Sequence, residues 1–320
     1  MKEQNFVQRR EAFWNEFEAL VNGEKKEIAK KAGWFPSAYR EITQDLNTAR
    51  ARAFDPSIID RLNRLVLEGN QLIYGQHSWP VKYLFSFVLR DFPRAVRSQA
   101  LGITLTALLF YGINIFFSIL TINNPNLVYE FLGGYQTAAL EAMYDPDSSH
   151  FMTPRDVDSD ADMFGYYIYN NISIAFGTFA GGIFAGIGSL FILCSNALFL
   201  GVSTGHIINR QFSSTFFPFI IAHSAFELNA IVFSAYAGFV MGWRFFVRSG
   251  LSHSAALKAA GKTSLPIIAG SAMLLVLAAI LEAFWSSRFT LPLELRIGAG
   301  AACWVLFLSY VFFCGREKRR

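Results

Sequence analysis

The sequence predicts an all-α polytopic membrane protein. It has six membrane segments, the second and third a short or re-entrant hairpin, and an N-terminal cytoplasmic helical bundle. Three observations carry this reading. Of the 320 residues, 53% are hydrophobic and 33 are Phe. Several apolar runs reach the ~20 residues a helix needs to cross a bilayer. Charge is segregated, with 28 of the 52 acidic and basic residues lying in residues 1–98.

The N-terminal region, residues 1–98, reads as soluble helices with one apolar stripe each. Phe6, Phe13, Phe17 and Leu20 share a face of a helix over 5–22, with Arg9, Glu16 and Glu18 mostly off it. Ser37 is the predicted cap of a second helix carrying Tyr39, Ile42, Leu46 and Ala49. Asp55-Pro56 starts a third, with Asp as cap and Pro at the first helical position, and Ile59, Leu62, Val66, Gly69 and Ile73 on its buried side. Trp79-Pro80 opens a juxtamembrane helix that Pro93 should kink. Its Arg90, Arg94 and Arg97 share a face suited to topology anchoring and to anionic lipid at the cytoplasmic surface. Sixteen basic and twelve acidic residues balance too closely here for a nucleic-acid surface. The start, MKEQNFVQRREAFW, has no apolar h-region, so the first span is expected to direct insertion.

That span is 99–122. Residues 123–169 form an acidic extracytoplasmic loop with eight acids (Glu130, Glu141, Asp145, Asp147, Asp156, Asp158, Asp160 and Asp162) against one base, Arg155. Asp156, Asp158 and Asp160 have the spacing of the first half of a calcium loop. The Gly at loop position six and the Glu at position twelve are missing, so they are no more than a weak divalent-cation candidate against a solvated acidic face. The block 170–208 must leave and return to one side of the membrane, which places a tight turn near Leu193–Asn196. In it Ser173, Gly177, Gly181 and Ala185, with Gly182 and Gly186 one position on, form a small-residue stripe for close helix packing. Further spans follow at 215–241, 265–286 and 293–314. The loop 242–263 is basic, as is the tail 315–320. The positive-inside rule makes both cytoplasmic.

The polar residues inside these apolar runs are the candidate site. An ionisable group at bilayer depth is costly and seldom idle. His223 and Glu227 stand one helical turn apart on one face, with Asn196, His206, Asn229 and Glu282 as further members. Three roles compete: a bonded pair that locks helices, a polar path for a proton, ion or lipid headgroup, and a metal site with His206 or Glu282 as third ligand. The full HExxH pattern is absent. His77, His150 and His253 read as loop or surface residues, and Cys194, Cys303 and Cys314 as small buried hydrophobes without ligand spacing. No nucleophile elbow, P-loop or dinucleotide-binding Gly pattern occurs, so no enzymatic activity, cofactor or metal is expected.

Several stretches resemble the stage II sporulation protein M family. They are Asn170-Asn171-Ile172, Phe179-Ala180-Gly181-Gly182, Gly186 with Gly188, His223-Ser224-Ala225-Phe226-Glu227-Leu228 and Glu282-Ala283-Phe284-Trp285-Ser286-Ser287. The N-terminal pattern from Phe6, Arg9-Arg10 and Trp14 to Arg61-Leu62-Asn63, Gly69 and Tyr74 is similar to the family's longer, bacterial inner-membrane branch. The founding member is a multipass protein that holds cell-wall-cleaving enzymes at the septal membrane. The resemblance implies a non-enzymatic scaffold or assembly factor of the cell envelope. It also implies envelope proteins or cell-wall hydrolases and a MoxR-type AAA ATPase system as partners, while the apolar runs imply the lipid bilayer and the Gly-rich helix faces suggest a second copy of the chain. The alternative expectations are a channel, permease or lipid transporter, and then an intramembrane metal-dependent hydrolase.

Overall fold

The computed structural model describes residues 3–23, 33–74, 81–147, 157–247, 250 and 252–316. Two compact units divide the chain between Leu84 and Phe85. All regular elements among the described residues are helical.

The first unit is a three-helix bundle of α1 (Glu3–Val21), α2 (Phe35–Ala51) and α3 (Pro56–Tyr74). Its core is Trp14, Phe17, Ile42, Leu62 and Leu65, all essentially inaccessible, ringed by Phe6, Leu20, Phe35 and Leu46. Trp14 is a core residue that the apolar stripe of α1 did not include. Its indole enters the core because Nε1 donates to Asp45 Oδ2 at 2.8 Å, and Arg10 Nε donates to the same oxygen at 2.8 Å. A buried polar atom is tolerated when bonded in this way. Ser37 is not the cap of α2. The helix starts two residues earlier, Pro36 takes the first turn, and Ser37 Oγ donates back to Trp34 O at 2.7 Å.

Asp55 does cap α3, accepting from Ser57 N at 2.9 Å and Ser57 Oγ at 2.6 Å. Those two bonds, the side-chain one foremost, hold the Asp55 carboxyl below the usual carboxylate range. A lowered folded value means the cap's stabilisation is present above the unfolded carboxylate value and lost as pH falls through the folded one. Amide protection of the first turn of α3, corrected for intrinsic exchange, is therefore expected to drop as the pH falls below the ordinary Asp value of 3.8. In Asp55→Asn the same turn should show no such pH dependence. An equal drop in both proteins would remove the carboxylate from the account.

In the second unit, a π-helical turn at Phe87–Asp91 leads into α4 (Phe92–Ser98). Pro93 occupies the first turn of α4, directly after the π turn, where its missing N–H costs little. The long helices follow: α5 (Ala100–Asn123), the short α6 (Leu127–Phe131) and α7 (Gly133–Tyr144), then α8 (Val157–Ala180), α9 (Ile187–Asn209), α10 (Ser213–Phe246), α11 (His253–Leu281, continued by a π turn Glu282–Ser286) and α12 (Leu293–Phe313). Five of these, α5, α9, α10, α11 with its π turn and α12, are long and apolar enough to cross a membrane. Helix α8 is as long as α5 but begins with Asp158, Asp160 and Asp162. Helix α10 is the hub, packed against each of α5, α8, α9, α11 and α12.

The structure corrects two expectations and adds to a third. The hairpin turn is not near Leu193–Asn196, which lies in the middle of continuous α9. It is the 3₁₀ turn Gly181–Ile183 followed by Ala185 and Gly186 at φ 55° and 82°. Left-handed backbone favours Gly, and two residues in succession there reverse the chain. Helix α8 begins at Val157, within the acidic segment 123–169.

Second, the stripe Ser173–Gly177–Gly181–Ala185 is not a helix-packing face. Ser173 and Gly177 are exposed, and a side chain at Gly177 would meet nothing within 4 Å. Gly181, Gly182 and Gly186 do serve close approach, but in the turn. Gly181 lies against the backbone of Gly188, and Gly182 and Gly186 lie against Gly238 and Gly242 of α10. Ser189 Oγ ties the hairpin by donating to Thr178 O at 2.6 Å. The membrane pair with small-residue packing is α9 on α5, where Gly201 and Gly205 press on the carbonyls of Asn114 and Ser118. Gly201 and Gly205 are four apart in the sequence and were legible there.

Third, Arg94 and Arg97 are half-buried and each also holds the end of α12, a protein contact not marked in the sequence. Arg94 Nε donates to Gly315 O at 2.9 Å and Arg97 Nη1 to Val311 O at 2.6 Å, at the end of α12. The last carbonyls of a helix lack intrahelical partners and its dipole favours a cation there. Arg90 is exposed and also engaged.

Candidate functional site

The sequence candidates separate into one cluster and several isolated residues. Helix α10 carries His223 and Glu227 one turn apart, and the π turn after α11 brings Glu282 and Ser286 against them. His223 is buried, with Nδ1 at 3.1 Å from Ser286 Oγ and Nε2 at 3.9 Å from Glu227 Oε2. The ligand-type atoms of His223, Glu227 and Glu282 all lie within 4.8 Å of one another. A π turn inserts a residue into the helical count, and such insertions recur at functional sites.

Aromatic rings cover the cluster. Phe219 packs edge-on to His223 at 5.4 Å and Tyr144 packs edge-on to Phe216 and Phe219 at 4.9 and 5.9 Å. Phe289 stacks on Phe219, and the Arg296 guanidinium lies 4.7 Å from the centre of the Phe289 ring. Arg296 is itself buried; one nitrogen, Nη2, donates to Ser286 O at 3.2 Å, while Nε has no hydrogen-bond partner among the described residues. Burial first, then the charges of Glu282, Tyr167 and Glu227, push the Tyr144 phenol up, so it stays protonated.

The remaining candidates lie elsewhere. His206 is buried but pairs with Glu141, Nε2 to Oε1 at 2.8 Å, and Arg210 Nε approaches the same oxygen at 3.4 Å. Asn196 and Asn229 donate to carbonyls of their own helices, Ile192 O at 2.8 Å and Ala225 O at 2.9 Å. Asp160 is turned inward, 1% exposed, and paired with Arg288 Nη2 at 2.6 Å, whereas Asp158 is exposed; the two do not converge on a cation. Asp156, with His77 and His150, lies outside the described residues. His253 opens α11 with its ring against Phe245, and all three cysteines are free and half-buried.

Sequence reasoning missed Tyr144, Ser286 and Arg296. A charged residue within an apolar 21-residue helix was a signal for Arg296. Nothing local marks Tyr144, which reaches the site only because α7 folds back onto α10.

The stage II sporulation protein M family model matches residues 101–287. The chain belongs to that family. The match runs from the start of α5 through the π turn and so contains His223, Glu227, Glu282 and Ser286. A second model, a domain of unknown function, matches residues 4–75, the three-helix bundle. No curated protein and no solved structure matches the chain. Membership in this membrane-protein family agrees with the five membrane-length helices.

Proposed function

We propose that this member of the stage II sporulation protein M family is a non-enzymatic scaffold of the bacterial inner membrane, with both termini cytoplasmic. In this reading residues 1–98 hold a cytoplasmic partner and the acidic loop meets envelope proteins. The observation that carries it is the packed, apolar middle of the central helix α10. Beyond Glu227, residues Ala230 to Ala235 of the central helix are all buried, five of the six apolar. The one polar member, Ser234, donates to Ala230 O of its own helix at 2.8 Å. From Glu227 to Tyr236, the next polar side chain bonded across helices, is nine residues, about 13 Å of helix. An apolar plug of that length supports a holding role over a permeation path. The bundle supports it too, since it has its own core and a charged exterior able to dock a protein.

The test pairs capture with flux. Photo-crosslinkers placed on the exposed faces of α1 and α3 in the full-length protein in cells should trap discrete protein partners. Charge reversal on those faces should remove them, and purified protein in liposomes should carry no ion or lipid flux. Flux that Glu227→Gln abolishes while the crosslinked complexes persist would instead establish transport.

A further inference from the structure

We propose that His223, Glu227 and Glu282 form a binding site for one divalent first-row transition metal of the zinc class. Such a site goes beyond the scaffold reading and stands whether or not that reading holds. No activity is needed to test it.

Several features point the same way. The donor set is one imidazole and two carboxylates with ligand atoms inside 4.8 Å, drawn from α10 and from the π turn that ends α11. Its three protein donors leave at least one coordination position open. The 3.9 Å from His223 Nε2 to Glu227 Oε2 is too long for a hydrogen bond. It is about 0.5 Å wider than the ~3.4 Å between two tetrahedral ligands about 2.0–2.2 Å from a shared ion. Nε2 makes no other hydrogen bond among the described residues, and Nδ1 is engaged by Ser286, so the ring is held with its second nitrogen toward the carboxylates. Metal-bound imidazoles are commonly oriented through their other nitrogen in this way. Two converging carboxylates repel each other only when both are ionised, and a divalent cation would stabilise that state. An imidazole in the set favours a transition metal over magnesium or calcium. Phe219 packs on His223, with Phe289 and Tyr144 against Phe219, so the imidazole side of the site is shielded from water, which strengthens such binding.

Chelator-stripped full-length protein in nanodiscs would be titrated with Zn²⁺ in the presence of excess Mg²⁺ and Ca²⁺. The expected result is about one tightly bound zinc per chain, undisturbed by the competitors. Glu227→Gln and Glu282→Gln should each remove it. Ser286→Ala, which leaves the donors in place, should weaken it about 10–100-fold. Glu141→Gln, at the separate His206 pair, should leave it unchanged. Because a donor variant can fail to fold, X-ray absorption on the zinc-loaded wild type provides an independent reading. An all nitrogen and oxygen shell at about 2.0–2.1 Å with a single imidazole is expected. No stoichiometric zinc, sulfur ligation, two imidazoles, or binding equal to wild type in a folded Glu282→Gln would overturn the proposal.

Discussion

Gly182→Val is expected to be among the most destabilising single substitutions in the membrane unit, while Gly177→Ala, five residues away, should be neutral or slightly stabilising. The two glycines look alike in sequence. A Cβ at Gly182 meets the carbonyl carbon and the Cα of Gly238, each at 2.6 Å, and both are backbone atoms with no rotamer to escape into. The hairpin turn must then lift from α10, which also separates Gly186 from Gly242. Overpacking costs typically 1–3 kcal/mol, and a backbone obstacle puts this substitution near the upper end, about 3 kcal/mol. For a unit of this size that lowers the thermal midpoint by about 6–12 °C. At Gly177 no atom lies within 4 Å, and exchanging Gly for Ala within a helix is worth about 0.5–1 kcal/mol in the favourable direction. Thermal unfolding of both variants in one detergent decides the matter. Equal midpoints would mean that the turn does not dock as described.

The second large effect concerns the Asp160–Arg288 pair, and the expectation is asymmetric. Arg288→Met leaves the Asp160 carboxylate, 1% exposed, without its cation and with Oδ1 already lacking a hydrogen-bond partner among the described residues. Breaking a buried pair from this side costs about 3 kcal/mol, the lower end of the usual range because the Arg288 side chain is 38% exposed and water screens the pair in part. Asp160→Asn should cost much less, since Arg288 can turn to water. The double variant Asp160→Asn/Arg288→Met should recover most of the loss, giving a coupling energy of about 1–3 kcal/mol in a double-mutant cycle. Additive losses would show that the two residues stabilise the fold separately. The outcome also bears on the acidic run Asp156–Asp162. Its inward member ties the start of α8 to the turn after α11 and is not part of a solvent-facing cation site.

Both predictions rest on which side of a helix faces protein, and there the sequence was least informative. In a water-soluble bundle polar residues mark the outside. This worked for α3, where Asp55-Pro56 placed the start and Leu62 lay on the buried side. In the membrane unit lipid is as apolar as the interior, so hydropathy does not tell the lipid face from the packed one. That is why Ser173 and Gly177 were read as packing residues although they face outward. Among the glycines that do pack closely are those of the turn, Gly201 and Gly205 on α9, and Gly238 and Gly242 on α10. It is also why an unbroken apolar run hid the position of the hairpin, which depends on a left-handed pair at Ala185 and Gly186.

Composition and local spacing were enough for the membrane class and for the boundary between the polar N-terminal helices and the apolar ones. They were enough too for the shared face of His223 and Glu227, since residues four apart on a helix always meet. Which distant residues join that pair depended on long-range packing. Glu282 enters the site because a π turn ends α11, and Ser286 with it, while His206 is withdrawn by Glu141, 65 residues away. Arg94 and Arg97 find carbonyl partners more than 200 residues further on. One cause is common to all of these. A buried charge or an open helix end takes whichever partner the packing of helices brings within about 3 Å, and that choice is made by the fold of the whole unit.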